Sequence, residues 1–276
     1  MAKNKKINFC LAKECFITCA GCYNEFTNET PLETNEMLEF LEYSRQNGVK
    51  RITISGGDPL TMKDIEKIIK HADYLKLNVN LDTVGTAFLC KCQTVNKNQI
   101  ELKNLEDFKT IKMIGIPLDG SNNAIVNKFR VGRPDLFDEQ IKIIKRLVEN
   151  NLNVCVNTVV HKENYEDILN IFEKIKDVGI KKWQLFQFMP IGPRGSKNKD
   201  LFYINDSQFK KVVSTINGIK NKCDFEIVAK SLKSRVKNYM LISSSGAAYK
   251  VDKRNRKVIY GEIKNKDTWY NIMQNL

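Results

Sequence analysis

The chain has 276 residues, of which 42% are hydrophobic and 28% charged, enough to bury a sizeable core as one large domain or as a domain with an appendage. No apolar run approaches the roughly 18 residues of a membrane helix, and the first nine residues lack the apolar stretch of a signal peptide; the expectation is a cytoplasmic protein with reduced thiols and no membrane contact. A formal net charge of +13 attracts anions, but the lysines are spread over the whole chain and densest at residues 3–6 and 250–257, which read as solvated faces, so nucleic acid is not the expected partner.

From residue 6 to about 189, short β-branched runs alternate with longer helical periods. The strand candidates are residues 7–11, 51–55, 77–82, 112–117, 153–160 and 183–189. Between them, Thr61 caps a helix with Ile65, Ile68, Ile69 and Ala72 on one face and Asp64 completing a capping box. Pro134 suits the first turn of a helix carrying Phe137, Ile141, Ile144 and Leu147. A third helix presents Ile168, Leu169, Phe172 and Ile175, and Gly48 and Gly179 follow helix ends, where a left-handed stop is easily adopted. Strands alternating with helices argue for parallel β/α units. Six units are too few for a complete eight-fold barrel, so the expected fold is α/β, a partial (β/α)6 TIM-like barrel over residues 1–190, with chemistry at the carboxyl ends of the strands. After Pro190 the pattern changes to a loop at 191–200, a helix at 206–220 and an alternation like that of short antiparallel strands at 225–228, 239–243, 247–251 and 258–260. Residues 191–276 are therefore expected to form a small C-terminal α+β extension covering one side or end of the barrel.

Just after the first strand stand Cys15, Cys19 and Cys22, spaced so that three sulfurs can converge on one small object. A four-iron cube has four corners and takes thiolate ligands; three thiols leave one iron open to a small molecule, with the aromatic Tyr23 beside it. Structural zinc is the alternative, with Cys10 as a fourth thiolate, although such sites usually come as two separated ligand pairs. Disulfides would need an oxidising compartment. The second strand ends in Gly56-Gly57-Asp58-Pro59. Alone this is a turn; one β/α unit after a three-cysteine loop, it is a place where the backbone can pass close to a ligand.

These motifs, with the β/α order over about two-thirds of the chain, resemble the radical S-adenosylmethionine (AdoMet) enzymes. The resemblance implies a [4Fe-4S] cluster on Cys15, Cys19 and Cys22. It also implies AdoMet chelated at the open iron and split by one electron to a 5′-deoxyadenosyl radical that takes hydrogen from a substrate. An electron donor such as flavodoxin or ferredoxin is implied too. Carried over residue by residue, Gly56, Gly57 and Asp58 hold the methionine amino group, chiefly through backbone carbonyls, and Tyr23 lies near the adenine. Asp82 and Thr83 reach the ribose, Asn157 the ribose or carboxylate, Arg130 the carboxylate, and Gln187 or Met189 the adenine or substrate. Polar residues at strand ends also often cap the following helix.

The stretch Ile116-Pro117-Leu118-Asp119-Gly120, with Phe129-Arg130 and residues 156–160, looks like peptide- and protein-modifying members, which makes a peptide the expected substrate. Residues 183–187, 190–195 and 202–204 also resemble viperin-like nucleotide dehydratases, and that similarity extends into the tail, so a nucleotide is the alternative. A remote alternative is a non-catalytic metal-binding interaction protein, which leaves Gly56 to Pro59 without a role. After Cys155 only Cys223 remains, so a full auxiliary-cluster extension cannot be built. Cys10, Cys90, Cys92 and Cys155 are candidates for buried small hydrophobes, with a redox or hydrogen-donor role open for Cys90 and Cys92. His71 reads as a surface or core-edge residue and His161 as a helix-leading polar position.

Overall fold

The computed structural model describes residues 5–24, 29–235, 239–252 and 256–276; the basic runs at 3–6 and 250–257 lie partly outside these. Strand alternation explains the architecture. On β1 (Lys6–Ala12), β2 (Arg51–Gly56), β3 (Asn78–Asp82), β4 (Met113–Pro117), β5 (Val154–Val160) and β6 (Lys182–Gln187), one set of side chains is buried and apolar. It includes Ile7, Phe9, Ile52, Ile54, Val79, Leu81, Ile114, Ile116, Val154, Val156, Trp183 and Leu185. The opposite face carries half-buried polar residues such as Asn8, Thr53, Asn80, Asp82, Asn157 and Gln184. Because successive side chains point to opposite faces, the apolar set takes helices on the outside and the polar set lines a concave inner face.

The covering helices are α1 (Thr34–Gln46), α2 (Ile65–Tyr74), α3 (Leu136–Glu149) and α4 (Ile168–Ile175), each burying one stripe. In α4 the stripe is Ile168, Ile171, Phe172 and Ile175; Leu169, expected there, is exposed. Asp64 precedes α2 without capping it, its carboxylate accepting from Thr34 Oγ1 at 2.8 Å. The Thr61 hydroxyl bonds the Asp58 carbonyl at 2.6 Å instead of capping the helix. Pro134 lies ahead of Asp135, the residue preceding α3, rather than in its first turn. Gly48 and Gly179 adopt the left-handed conformation with φ of 86° and 85°.

The six units run in the expected parallel order, and the sheet continues at both edges in the order β7-β6-β5-β4-β3-β2-β1-β8-β9-β10. Here β7 is Glu226–Lys230, β8 Met240–Ile242, β9 Ala247–Val251 and β10 Lys257–Glu262. The tail strands are thus not all antiparallel. Strand β7 pairs in parallel with β6, and β8 in parallel with β1; only β9 and β10 run antiparallel. For β7 the physical reason is α5 (Asp206–Ile219), whose buried Phe209, Val212, Ile216 and Ile219 make it a crossover helix between β6 and β7. A crossover helix returns the chain to a parallel strand.

Candidate cluster and cofactor site

The cysteine loop leaves the carboxyl end of β1 and is held from four directions. Thr18–Cys19 pairs with Arg130–Val131 in a short antiparallel ladder, and the Ala20 N–H donates to the Phe129 carbonyl at 2.7 Å. The Cys15 carbonyl accepts from the Val95 N–H at 2.9 Å, Cys22 from the Gly195 N–H at 3.3 Å, and Ala20 from the Asn198 amide at 2.7 Å. Gly21 packs so closely on Phe129 and Phe188 that a Cβ would lie 2.5 and 2.6 Å from their rings. That aromatic group, with Phe202 and the stacked His161 at 4.6 Å from Phe129, forms a firm floor.

All three thiols are half-buried and within electrostatic reach of one another. Burial is the main cause raising each, Cys19 to about 11, while Arg130, whose Nη1 is 3.4 Å from Cys19 Sγ, acts in the opposite direction on Cys19 and Cys22. Such thiols become thiolates only against added positive charge, which iron supplies. Among the described residues no three His, Cys, Asp or Glu side chains are close enough to hold a single ion; a cubane spaces its ligands more widely than one zinc does. Cys10 Sγ is buried and engaged with Ser55 Oγ at 3.6 Å and Tyr23 Oη at 3.7 Å.

The Gly-Gly-Asp-Pro turn presses against this loop. The Gly57 N–H donates to the Ala12 carbonyl at 2.7 Å and Asp58 N–H to Glu14 at 2.6 Å. A Cβ on Gly57 would sit 2.1 Å from the Glu14 oxygen, and Gly56, with φ of 127°, would bring one 2.7 Å from the Ala12 nitrogen. Only glycine fits this approach. Asn24 donates to the Gly56 carbonyl, closing the turn over the residues that follow Cys22. The Asp58 side chain faces inward, fully buried, accepting from Leu60 N at 3.0 Å, Thr83 Oγ1 at 2.7 Å and Val84 N at 2.6 Å. Its carboxylate therefore ties the end of β2 to the end of β3, leaving the backbone to face a ligand, and Thr83 is consumed in the same tie.

On the concave face the Asn157 amide donates to Asp82 Oδ1 at 3.0 Å. Gly115 on the intervening β4 makes room: a Cβ there would lie 2.1 Å from Asp82 Oδ1 and 2.5 Å from Asn157 Nδ2. Gln184 extends the network, donating to Asn157 Oδ1 at 3.1 Å and to Cys155 Sγ at 3.2 Å, and accepts from Lys230. Burial raises the Asp82 carboxyl to about 6. Arg130 is bound to the fully buried Asp119 at 2.7 Å; Asp119 also accepts from Val159 N at 2.8 Å. The Arg130 guanidinium also donates from Nη1 to the Cys19 sulfur, so through Asp119 it links the end of β4 and β5 to the cysteine loop.

Of the remaining expected residues, Tyr23 reaches Cys10 at the base of the concave face, and Met189 packs with Ile191, Tyr249 and Val251. Gln187 is buried and turned to the tail, bonding the Ile204 carbonyl and Leu232 N–H, so it does not present its amide to the site. His161 is buried, its pKa lowered to about 3 chiefly by burial, and it leads the following turn with Nδ1 accepting from the Glu163 N–H at 3.2 Å. His71 Nε2 lies 3.1 Å from Glu42 on the outer face. Sequence reading missed Asn24, Gly115, Gln184 and Lys230 as parts of this site, and quoted Asp119 without a role.

Residues 10–175 match the model of the radical SAM superfamily, and the chain belongs to that family. Family membership implies S-adenosylmethionine and an iron–sulfur cluster. Among curated proteins the chain is 24% identical over 259 residues, 89% of its length, to an S-adenosylmethionine-dependent nucleotide dehydratase of Lacinutrix mariniflava. It is 29% identical over 176 residues, 63% of its length, to the antilisterial bacteriocin subtilosin biosynthesis protein AlbA of Bacillus subtilis. The chain spans 50% of the first and 37% of the second. The fold is that of Streptococcus suis SuiB, solved with S-adenosylmethionine, at a TM-score of 0.72 and 16% identity, over 96% of this chain and 65% of that one. No described helix is long and apolar enough to cross a membrane.

Proposed function

We propose that the protein is a radical AdoMet enzyme in which Cys15, Cys19 and Cys22 hold a [4Fe-4S] cluster, with AdoMet lying along the Gly56 to Asp58 turn. The observation that carries this is the glycine turn pressed against the cysteine loop, at a distance that excludes any Cβ on Gly57. When bound, these cofactors supply one-electron cleavage of a sulfonium and a carbon radical that abstracts hydrogen. The chain's residues position the reactants. Backbone carbonyls of the turn receive the methionine amino group, and Asp82 and Asn157, fixed by one another, address the ribose. Arg130 holds the cysteine loop through Cys19 as well as serving as a cation for the carboxylate, while Tyr23 and Met189 border the adenine. The half-buried polar side chains of the concave face orient an organic substrate and limit access of water.

Two substrate classes have support. The peptide reading is supported by the similarity to AlbA, and the nucleotide reading by the longer match to the nucleotide dehydratase. Either requires an external electron donor such as flavodoxin or ferredoxin. Anaerobic reconstitution followed by dithionite reduction is expected to release 5′-deoxyadenosine from AdoMet; an intact cluster that releases none overturns the proposal.

A further inference from the structure

The β6–β7 end of the concave face holds more positive than negative charge. Phe186, half-buried on β6, has Lys230 Nζ 4.9 Å and Arg235 Cζ 5.5 Å from its ring centroid. Lys230 bonds a neutral partner, the Gln184 side-chain oxygen. Arg235 donates from Nη2 to the Gln187 carbonyl, and its Nε is buried with no hydrogen-bond partner among the described residues. Neither cation makes an ion pair with a described carboxylate. Besides burial, the titratable groups acting on Lys230 are Lys182, Lys6, Cys155 and Asp82. Lys182 pairs with Glu226 at 2.8 Å, Lys6 lies over the Tyr239 ring at 4.2 Å, and Asp82 is bonded to Asn157. Lys230 and Arg235 thus stand on either side of Phe186 as two positive charges with no carboxylate partner among the described residues. Burial and the two like charges lower the Lys230 ammonium to about 8.

Cations withdrawn from water without a counter-charge are costly to a fold, and an orphaned buried Nε calls for an acceptor. We infer that Lys230 and Arg235, flanking Phe186 on the concave face, form a phosphate subsite, and that the substrate is a phosphate-bearing small molecule. The inference rests on the reading of the concave face as the substrate site. Charge density decides between phosphate and carboxylate: a dicarboxylate spreads its two charges over two separated groups, whereas a phosphate monoester gathers about −1.5 to −2 and three acceptor oxygens on one centre that both cations can reach. A guanidinium with free N–H groups also matches phosphate oxygens geometrically. This favours a nucleotide-like substrate over a peptide.

The test is calorimetric titration of the reconstituted protein, at fixed ionic strength, with tripolyphosphate and with glutarate as the carboxylate probe. Tripolyphosphate is expected to bind, with glutarate weaker by about tenfold or more. Lys230→Gln and Arg235→Gln are each expected to weaken tripolyphosphate about tenfold or more, the loss of one charge-assisted hydrogen bond. Lys230→Arg is expected to retain binding, and Lys210→Gln on the outer helix α5 to leave it unchanged. Absence of tripolyphosphate binding, equal affinity for glutarate, or undiminished binding in both Gln variants overturns the subsite. AdoMet cleavage by dithionite, measured on the same samples, reports on the enzyme reading separately.

Discussion

The cysteine rim and the β6–β7 edge border the same concave face, yet they are built from opposite materials. At the rim the backbone sets the geometry: carbonyls of Ala12 and Glu14, amides of Gly57 and Asp58, and glycines at Gly21, Gly56 and Gly57 that admit no Cβ. At the β6–β7 edge the side chains do, with Lys230, Gln184 and Phe186 projecting from strands whose backbones are ordinary ladder and Arg235 from the short helical turn Leu232–Arg235 after β7. A rim fixed by backbone suits a cofactor whose form never changes, because a side-chain substitution elsewhere leaves it intact. An edge made of side chains suits a substrate, since one substitution can alter what is recognised without altering the sheet.

That contrast can be broken most severely at the rim. Cys19→Ala is expected to abolish the cluster and all 5′-deoxyadenosine formation, whereas Cys10→Ala, which removes a thiol hydrogen-bonded to Ser55 and Tyr23, keeps full iron content. Iron and sulfide analysis separates the two. Gly57→Ala forces the turn off Glu14, since no neighbour there can yield but backbone. It is expected to lower stability by on the order of 1–3 kcal/mol and to remove AdoMet binding while Cys15, Cys19 and Cys22 remain. Both are read by denaturant midpoint and equilibrium binding.

Gly115→Ala is a milder break on the concave face, parting Asp82 from Asn157. Loss of one oriented hydrogen-bonding pair weakens AdoMet by about tenfold, with the cluster spectrum unchanged. Asp82→Asn sharpens the comparison through pH. The carboxyl is raised from 3.8 to about 6 in the folded chain, so the native state holds this proton more tightly than the unfolded one. Its contribution is full below pH 3.8 and is lost as pH rises through 6. Urea midpoints between pH 4 and 7 are expected to fall less steeply in Asp82→Asn than in the parent.

The rim was legible in the sequence because its signals are local. Three cysteines in eight residues and two adjacent glycines after a strand carry their meaning in their spacing, and the six β/α units carry theirs in period and order. What the sequence concealed depends on distant partners. Asp119 acquires a role only when Arg130 folds against it, and Gly115 only when Asp82 and Asn157 meet across it. Lys230 acquires one only once β7 is known to lie parallel to β6. The short alternating strands of the tail read as antiparallel because period 2 carries no direction; for β7 the 14-residue helix α5, which sets its direction, was the available clue. Gln187 misled for the converse reason: its strand-end position suggested the site, while Ile204 and Leu232 had already satisfied its amide.

The claim at the centre is that three cysteines leave one iron open and that the Gly56 to Asp58 turn brings AdoMet to it. Electron paramagnetic resonance of the dithionite-reduced protein, recorded before and after adding AdoMet, tests it most directly. The account predicts a reduced-cluster signal whose shape shifts when AdoMet is added, with the shift absent in Gly57→Ala. A signal identical with and without AdoMet at saturating concentration, in a protein with full iron content, would contradict it.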